Sequence, residues 1–589
     1  MAAQLRTHYA GDVPEAADDA EVVLGGWVAR TRDMGGVVFF DLRDASGKVQ
    51  VVADPTAIPG VDELKMEYCV RVVGTKQPRP AGTENPELAT GTVEVHATDV
   101  EVLSAADPLP FMVDDRFDVD ELTRLQYRYL DFRRDRMAAN LRARSHATAA
   151  MRAALVERDF LEVETPTLIA STPEGARDML VPSRLRQGSF YALPQSPQIF
   201  KQLLMVGGID RYFQFARCYR DEDFRADRQL EFTQLDLEGA FWGEEDVRAA
   251  IEAAIVAATE AVRGTPPPAP FPTLSWRETM DRYGIDKPDT RFGMELVDVS
   301  SVFADTGFRG FGAAVEAGGI VRGINAGQLG LSRAGFDDLT DRARAHGAAG
   351  LVWAVVEADG TLRSPVAKFL SEAEVAGLVD GFSAVEGDTL LLVAGPWRST
   401  VEALGALRAH LGTPDDPEAL AFLWVVDFPV FEQTDEGLVP AHHPFTAPKS
   451  VADLTERPAE AIAQAYDLVL NGSELGSGSV RIHDPAVQST VFEVLGISAE
   501  EAERRFGWFL RALRYGTPPH AGFAVGLDRF VAILVGADSI REVIPFPKTQ
   551  RGVDPLTGSP TPVEEAQLVE LGLDLRPETR AALEESSQY

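Results

Sequence analysis

The stretch Arg217–Glu238 reads RCYRDEDFRADRQLEFTQLDLE. Charged and apolar residues alternate at Arg217, Tyr219 and Arg220, and again from Phe232 through Leu235, Leu237 and Glu238. That alternation predicts two half-buried strands. The loop between them carries Arg220, Asp221, Glu222, Asp223, Arg225, Asp227 and Arg228. A run of charges is usually a solvated surface. Here, however, the second strand bears Gln234, Asp236 and Glu238 at period two, so three polar side chains share one face of a sheet. Such a face suits the floor of a binding site better than a core. Arginine above that floor suits a ligand carrying phosphate.

The rest of the chain is compatible with such a site. A length of 589 residues implies about three or four domains. Hydrophobic content of 45% and charged content of 25% are ordinary for a soluble globular protein. The balance of 56 basic to 91 acidic residues, a net charge of −35, argues against broad binding to polyanions. Any nucleic-acid partner must then be held by local basic patches. The two cysteines, Cys69 and Cys218, lie far apart and point to packing rather than to a disulfide framework or a zinc cluster. The N-terminus lacks an apolar export core and no run reaches membrane-spanning length, so a cytoplasmic protein with no membrane partner is expected.

Residues 1–108 read as five short strands, among them GVVFFDLRDASG and KVQVVAD, and predict an oligonucleotide-binding (OB) β-barrel. Arg30, Arg32, Phe39, Gln50 and Arg79 could meet nucleic acid there, Phe39 by stacking on a base. An equally good reading makes Phe39 a core residue. Residues 109–140, rich in Arg and Tyr, form a helical connector. A long helix ending near Asp159 and a strand stopped at Pro166 open a second domain over 141–288, and a further helix begins near Ser196–Pro197. Residues 289–420 turn Ala- and Gly-rich and read as an inserted α/β domain. The earlier character returns over 421–560, where AYDLVLNGSELGSGSVRIH is read as a strand, a Gly/Ser turn and another strand. Residues 561–589 form a C-terminal extension that ends in a frayed helix and tail.

Several polar groups recur along this frame. Glu174 lies in a Gly-containing loop, and Gln198 and Lys201 start a helix. His442 and His443 follow the insertion, then Asp467, Glu474 and Arg481, with Arg529 opening the last apolar helix. The His pair has no third ligand at metal-binding spacing. Asp467 and Glu474, seven residues apart across a strand and turn, suit magnesium near phosphate.

The order of these segments resembles the class II aminoacyl-tRNA synthetases, and within them the bacterial-type aspartyl-tRNA synthetases, over nearly the whole length. ETPTL at Glu164–Leu168 is similar to motif 1, RCYRDEDFRADRQLEFTQLD to motif 2, and GLDR at Gly526–Arg529 to motif 3. STPEGARD, QSPQIFKQ, HHPFTAP and GSVRIH resemble segments that mark the aspartate enzymes, and the insertion matches the extra domain of bacterial members.

The resemblance implies an α+β multidomain fold: an OB-fold anticodon domain, an antiparallel catalytic sheet flanked by helices, and the insertion. It implies an ATP-dependent, AMP-forming aspartate–tRNA ligase that is homodimeric through motif 1, with L-aspartate, ATP and tRNA-Asp as partners and Mg2+ as cofactor. In that frame Arg220, Glu474 and Arg529 are the catalytic groups. Glu174, Gln198, Lys201, Arg220, Asp236, His442, His443 and Arg481 bind aspartate, with Lys201 and Arg481 clamping its side chain. Arg220, Glu222, Gln229, Glu474, Gly526, Leu527, Asp528 and Arg529 bind ATP. Asp467 and Glu474 carry the metal, and Arg32, Phe39, Gln50 and Arg79 meet the tRNA anticodon. Asparagine would leave the clamping cations facing a neutral amide, so no editing site is required.

Members that charge both tRNA-Asp and tRNA-Asn tend to carry His where Met34 stands. That favours the form charging tRNA-Asp alone, with a form charging both, or a duplicate synthetase of altered inhibitor sensitivity, as alternatives. Leu230 replaces the proline of RQPEF, Ser473 and Ser477 make the turn less glycine-rich, and Pro545 stands where alanine is common. A relative making asparagine with ammonia would lack the barrel. A silent tRNA-binding paralogue would have lost Arg220, Glu474 or Arg529.

Overall fold

The computed structural model describes residues 4–171, 176–222, 227–434 and 437–586. The chain divides into two compact units. One comprises the N-terminal segment to Arg142 together with Ile544–Thr561, and the other Ala143–Val543 with the segment from Pro562.

In the first unit the strands Glu21–Asp33, Val38–Arg43, Lys48–Ala53, Cys69–Pro78 and Val93–Ser104 close into a barrel. The third and fifth strands pair in parallel, with Gln50 opposite Glu94. Alternation fills the interior with Val22, Leu24, Phe40, Leu42, Val49, Val51, Val70, Val72 and Val95. Phe40 is therefore the core aromatic, and Phe39, one residue earlier, is turned to the opposite face and only half-buried. The connector forms two short helices, Glu121–Gln126 and Arg128–Asp131. Asp131 is wholly buried and takes hydrogen bonds from Arg124 (3.0 and 3.1 Å) and Arg128 (2.6 Å). Arg128 also donates to the carbonyls of Ile544 (3.0 Å) and Pro545 (2.9 Å), and an alanine carbonyl at 545 could serve as well.

An eight-stranded sheet is the frame of the second unit. Its strands run, edge to edge, Thr273–Ser275, Phe422–Val426, Ala465–Leu470, Ser473–Val480, His520–Gly526, Glu231–Ala240, Arg211–Tyr219 and Leu161–Glu162. Pairing is antiparallel except at the two edges. Strands Arg211–Tyr219 and Glu231–Ala240 confirm the two-strand reading of the Arg217–Glu238 stretch; the first starts earlier than the alternation suggests, and the second extends further at both ends. One expectation is corrected. The stretch SELGSGSV is strand rather than a Gly/Ser turn. The turn is confined to Asn471 (φ 50°) and Gly472 (φ 79°), the pair of positive φ values that a two-residue type I′ hairpin demands.

Helix Glu244–Arg263 lays Val247, Ile251, Ala254, Ile255 and Ala258 inward, and is closed by Gly264 in the left-handed region. Helix Gln198–Val206 packs against the strand Glu231–Ala240. The insertion forms its own antiparallel five-stranded sheet in the order Val297–Asp298, Ile320–Asn325, Thr389–Gly395, Val352–Val356, Leu362–Arg363. Separate apolar clusters cover it, one around Phe336, Leu391 and Leu404 and one around Phe303, Leu390 and Leu392. Cys218 is buried, Cys69 is half-buried, and both are free thiols. Among the described residues no helix is long and apolar enough to cross a membrane.

Candidate active site

The sheet of the second unit floors a cleft of about 620 Å³. Lys201, Asp236 and Arg481 line it and, with Glu238, form a buried cluster of four charges. Lys201, from the helix Gln198–Val206, is 1% exposed and contacts Asp236 at 2.6 Å and Glu238 at 3.2 Å. Arg481, just after the strand Ser473–Val480, donates to both oxygens of Glu238 at 2.9 and 3.2 Å and to Ser479 Oγ at 2.7 Å. The period-two pattern of the floor strand brings Asp236 and Glu238 to the same face. Glu238 is fully buried, and room for it is made by Gly522 on the neighbouring strand, where a Cβ would fall 1.7 Å from Glu238 Oε2.

Burial pushes the Asp236 carboxyl up to about 6, with Lys201 pulling it down and Glu238 pushing it further up. Burial also pushes the Glu238 carboxyl up, but the Arg481 and Lys201 charges more than offset it and leave the group below its usual value. Two cations and two carboxylates thus neutralise one another before any ligand arrives. His442 and His443 line the cleft beside them. Burial lowers His442 to about 4 against the pull of Asp286 and, with the Arg481 and Lys201 charges adding to it, lowers His443 to about 3; both are neutral imidazoles at pH 7.

The cleft also carries groups suited to phosphate. Arg220 donates to the Gln195 carbonyl at 3.4 Å and lies over the Phe232 ring at 5.1 Å. Arg529 donates to the Glu474 carbonyl and, at 3.0 Å, to Asp227. Arg228 pairs with Glu222 at 3.0 Å. Gln198, Gln229, Gln234 and Gly526 also line the cleft. Leu527 is buried. Asp528 lines the cleft, yet its two oxygens take hydrogen bonds from Arg144 and, at 2.8 Å, from the Thr233 N–H, so it fastens the motif 3 helix to the floor strand. Gln195, not singled out in the sequence, is 1% exposed and bonds the backbone of Ala176 in both directions (2.9 and 3.0 Å), holding the end of the STPEGARD loop. Glu174 lies outside the described residues.

Asp467 and Glu474 lie on the two strands of the hairpin closed by Asn471–Gly472, Asp467 opposite Ser477 and Glu474, which lines the cleft, opposite Val469. Burial and the Glu474 charge push Asp467 well above the carboxylate range, while Ser477, its cross-strand neighbour, pulls it down. Asp467 Oδ1 is buried without a hydrogen-bond partner among the described residues. Two mutually repelling carboxylates with an unused oxygen fit a divalent cation. Among the described residues no three-ligand cluster accompanies them, which suits magnesium that takes its other ligands from phosphate and water. Ser477 is thus accounted for. Nothing in the structure explains Leu230, whose carbonyl accepts from the Arg220 N–H at 2.9 Å as a proline carbonyl also could.

On the barrel, Arg32 stands opposite Phe39 and Asp41 opposite Gln50. Arg32 donates to Gln50 (3.0 Å) and Asp41 (3.3 Å), and Gln50 donates to Glu94 (2.8 Å), so one polar face with a half-exposed aromatic is preset. Arg79 is not brought to that face in the same way. It is buried and donates to the carbonyls of Val93 (3.1 Å) and Thr83 (3.5 Å), bracing the loop before the last barrel strand.

The family profile described as tRNA synthetases class II (D, K and N) matches residues 120–550, and that described as OB-fold nucleic acid binding domain matches residues 22–103. The chain belongs to the class II tRNA synthetases. Relatives named aspartate–tRNA(Asp/Asn) ligase include those of Salinispora arenicola, 51% identical over 98% of this chain and 97% of its own length, and Thermobifida fusca, 50% identical over 98% and 99%. The fold is shared with Pyrococcus horikoshii asparaginyl-tRNA synthetase complexed with asparaginyl-adenylate (TM-score 0.58, 18% identity, 93% of this chain and 99% of that one). It is shared also with aspartyl-tRNA synthetase from Entamoeba histolytica (TM-score 0.56, 18% identity, 92% and 91%). The α+β organisation of this class II chain therefore joins an OB barrel to a synthetase domain, as the motifs imply.

Proposed function

We propose that this protein is a cytoplasmic aspartate–tRNA ligase, which activates L-aspartate with ATP and passes it to the terminal adenosine of tRNA-Asp. The observation that carries the reading is the charge layout of the cleft. A buried, charge-balanced cluster of amino-acid size lies next to two arginines aimed at the phosphate end. The names of the relatives agree.

In this reading Asp236 receives the ammonium of aspartate, and Lys201 and Arg481 receive its side-chain carboxylate, with Gln198, His442, His443 and Glu174 around it. Arg220 holds the α-phosphate and the reacting carboxylate together, and Arg529 holds the γ-phosphate. Glu222, Gln229, Gly526 and the Leu527–Asp528 segment complete the nucleotide site. Asp467 and Glu474 would hold Mg2+, which when bound neutralises phosphate charge. The protein's own part is positioning and preset electrostatics. Arg32, Phe39 and Gln50 would meet the anticodon, with Arg79 supporting the adjoining loop. A homodimer is supported by the exposed apolar residues Leu161, Leu168, Leu180, Phe190 and Tyr191 on and around motif 1.

Charging of purified tRNA-Asp and tRNA-Asn with labelled aspartate tests the reading. Adenylate formation without charging of either tRNA would refute its tRNA half. A second reading, charging of both tRNAs, is favoured by the Asp/Asn in the relatives' names. Met34, 68% exposed in the barrel loop, is the position to exchange for His in that comparison.

A further inference from the structure

We propose that Lys287, on the segment leading into the inserted domain, is a further ligand of the ATP polyphosphate; the inference deepens the ATP-dependent reading above and rests on it. Lys287 lines the cleft with Gly472, Ser473 and Glu474. Lys201, Arg228, Arg481 and Arg529 in the same cleft each hold a carboxylate. Lys287 has no hydrogen-bond or ion-pair partner among the described residues. A cation left unpaired beside a carboxylate pair suited to a metal matches a ligand bearing several negative charges.

The position of Lys287 is fixed from the insertion side. The segment from Gly284 to Gly293 leads out of the helix Trp276–Tyr283 toward the inserted sheet. At Gly284 (φ 70°) the backbone runs so close to the helix Trp397–Leu411 that a Cβ would fall 2.1 Å from the Val401 carbonyl oxygen. Arg408, 2% exposed on that helix, donates from Nη2 to the carbonyls of Asp289, Phe292 and Gly293, each at 2.9 Å. Its guanidinium lies 4.2 Å from the Phe292 ring centre. Asp289, also held by Arg291 at 2.8 Å, abuts the hairpin turn, where a Cβ on Gly472 would lie 3.2 Å from its own Cβ. One helix of the insertion therefore pins the segment bearing Lys287 against the turn that presents Glu474.

The chemistry gives the cation its use. An α-carboxylate oxygen of aspartate forms a bond to the α-phosphorus while the bond from that phosphorus to the α,β-bridging oxygen breaks. The bonding pair leaves with pyrophosphate, and no proton moves. Negative charge accumulates on the leaving group, where a fixed ammonium stabilises it.

The test is aspartate-dependent ATP–pyrophosphate exchange by the full chain and by Lys287→Gln and Lys287→Arg. The Gln variant should raise KM for ATP and for pyrophosphate about tenfold, the loss of one charged contact, with KM for aspartate within about twofold. The Arg variant should recover most of the loss. Unchanged ATP and pyrophosphate constants in the Gln variant would overturn the inference, as would a defect confined to aspartate or to tRNA. Failure of the unaltered protein to catalyse exchange would instead overturn the ATP-dependent reading beneath it.

Discussion

Replacing Arg481 with leucine separates the two tasks assigned to that residue. Its guanidinium neutralises the fully buried Glu238 and, in the proposed complex, receives the side-chain carboxylate of aspartate. Loss of one charge-assisted hydrogen bond of about 1.5–3 kcal/mol corresponds to about a 10- to 160-fold fall in kcat/KM for aspartate. Breaking a buried pair costs about 3–5 kcal/mol of stability, and because Lys201 still contacts Glu238 at 3.2 Å the lower end is expected here. The double variant Arg481→Leu/Glu238→Gln removes the orphaned charge, so thermal stability should recover while aspartate use does not. Pyrophosphate exchange measured over aspartate and ATP concentrations, beside a thermal melt, reads both effects; KM for ATP should stay within about twofold. Restored aspartate kcat/KM in the double variant, or unchanged aspartate dependence in the single one, would refute the clamp.

Other outcomes follow from the same geometry. Asp236 must be ionised to take an ammonium group, so KM for aspartate should climb as pH falls through about 6. Because its folded pKa is raised, the folded protein keeps a proton there that the unfolded chain has lost above the ordinary aspartate value of 3.8, so this group's contribution to stability is lost as pH rises from there to about 6. Asp236→Asn should abolish that limb in a pH series of melts. Asp467→Asn should raise the magnesium concentration needed for half-maximal exchange, and a titration that left it unmoved would place the metal elsewhere. Phe39→Ala should raise KM for tRNA about tenfold, the worth of one stacked base, and leave pyrophosphate exchange unchanged.

Much of this site was legible in the sequence because its residues sit in local patterns. Period-two alternation placed Gln234, Asp236 and Glu238 on one face, and the Ser-Pro pair placed the helix that carries Lys201. Long-range pairing was not legible. Glu238 was visible as a floor residue, but its double engagement depends on a helix 37 residues earlier in the chain and on Arg481, 243 residues later. Lys201 and Arg481 are not bare cations awaiting a carboxylate, so in the proposed complex asparagine should be rejected by less than two unpaired charges would demand. Asp528 and Arg79 were read from motif position and from charge, which carry no information about which neighbours already occupy their polar atoms. The turn in NGSELGSGS was misjudged because glycine suits both turns and crowded strands, and here Gly476 and Gly478 face the backbone carbonyls of Ala524 and Gly522.

Gly522 touches no substrate in the proposed complex, yet it determines whether Glu238 can exist where it does. The two positions are epistatic. Any side chain at 522 evicts the carboxylate, and a smaller residue at 238 that would make room for it strips Arg481 of its counter-charge. Neither position can drift alone, so the proposed amino-acid pocket is locked by a residue that a map of ligand contacts would overlook. A screen for inactive variants should recover Gly522→Ala alongside Arg481 and Lys201 substitutions, although the change adds only a single methyl group.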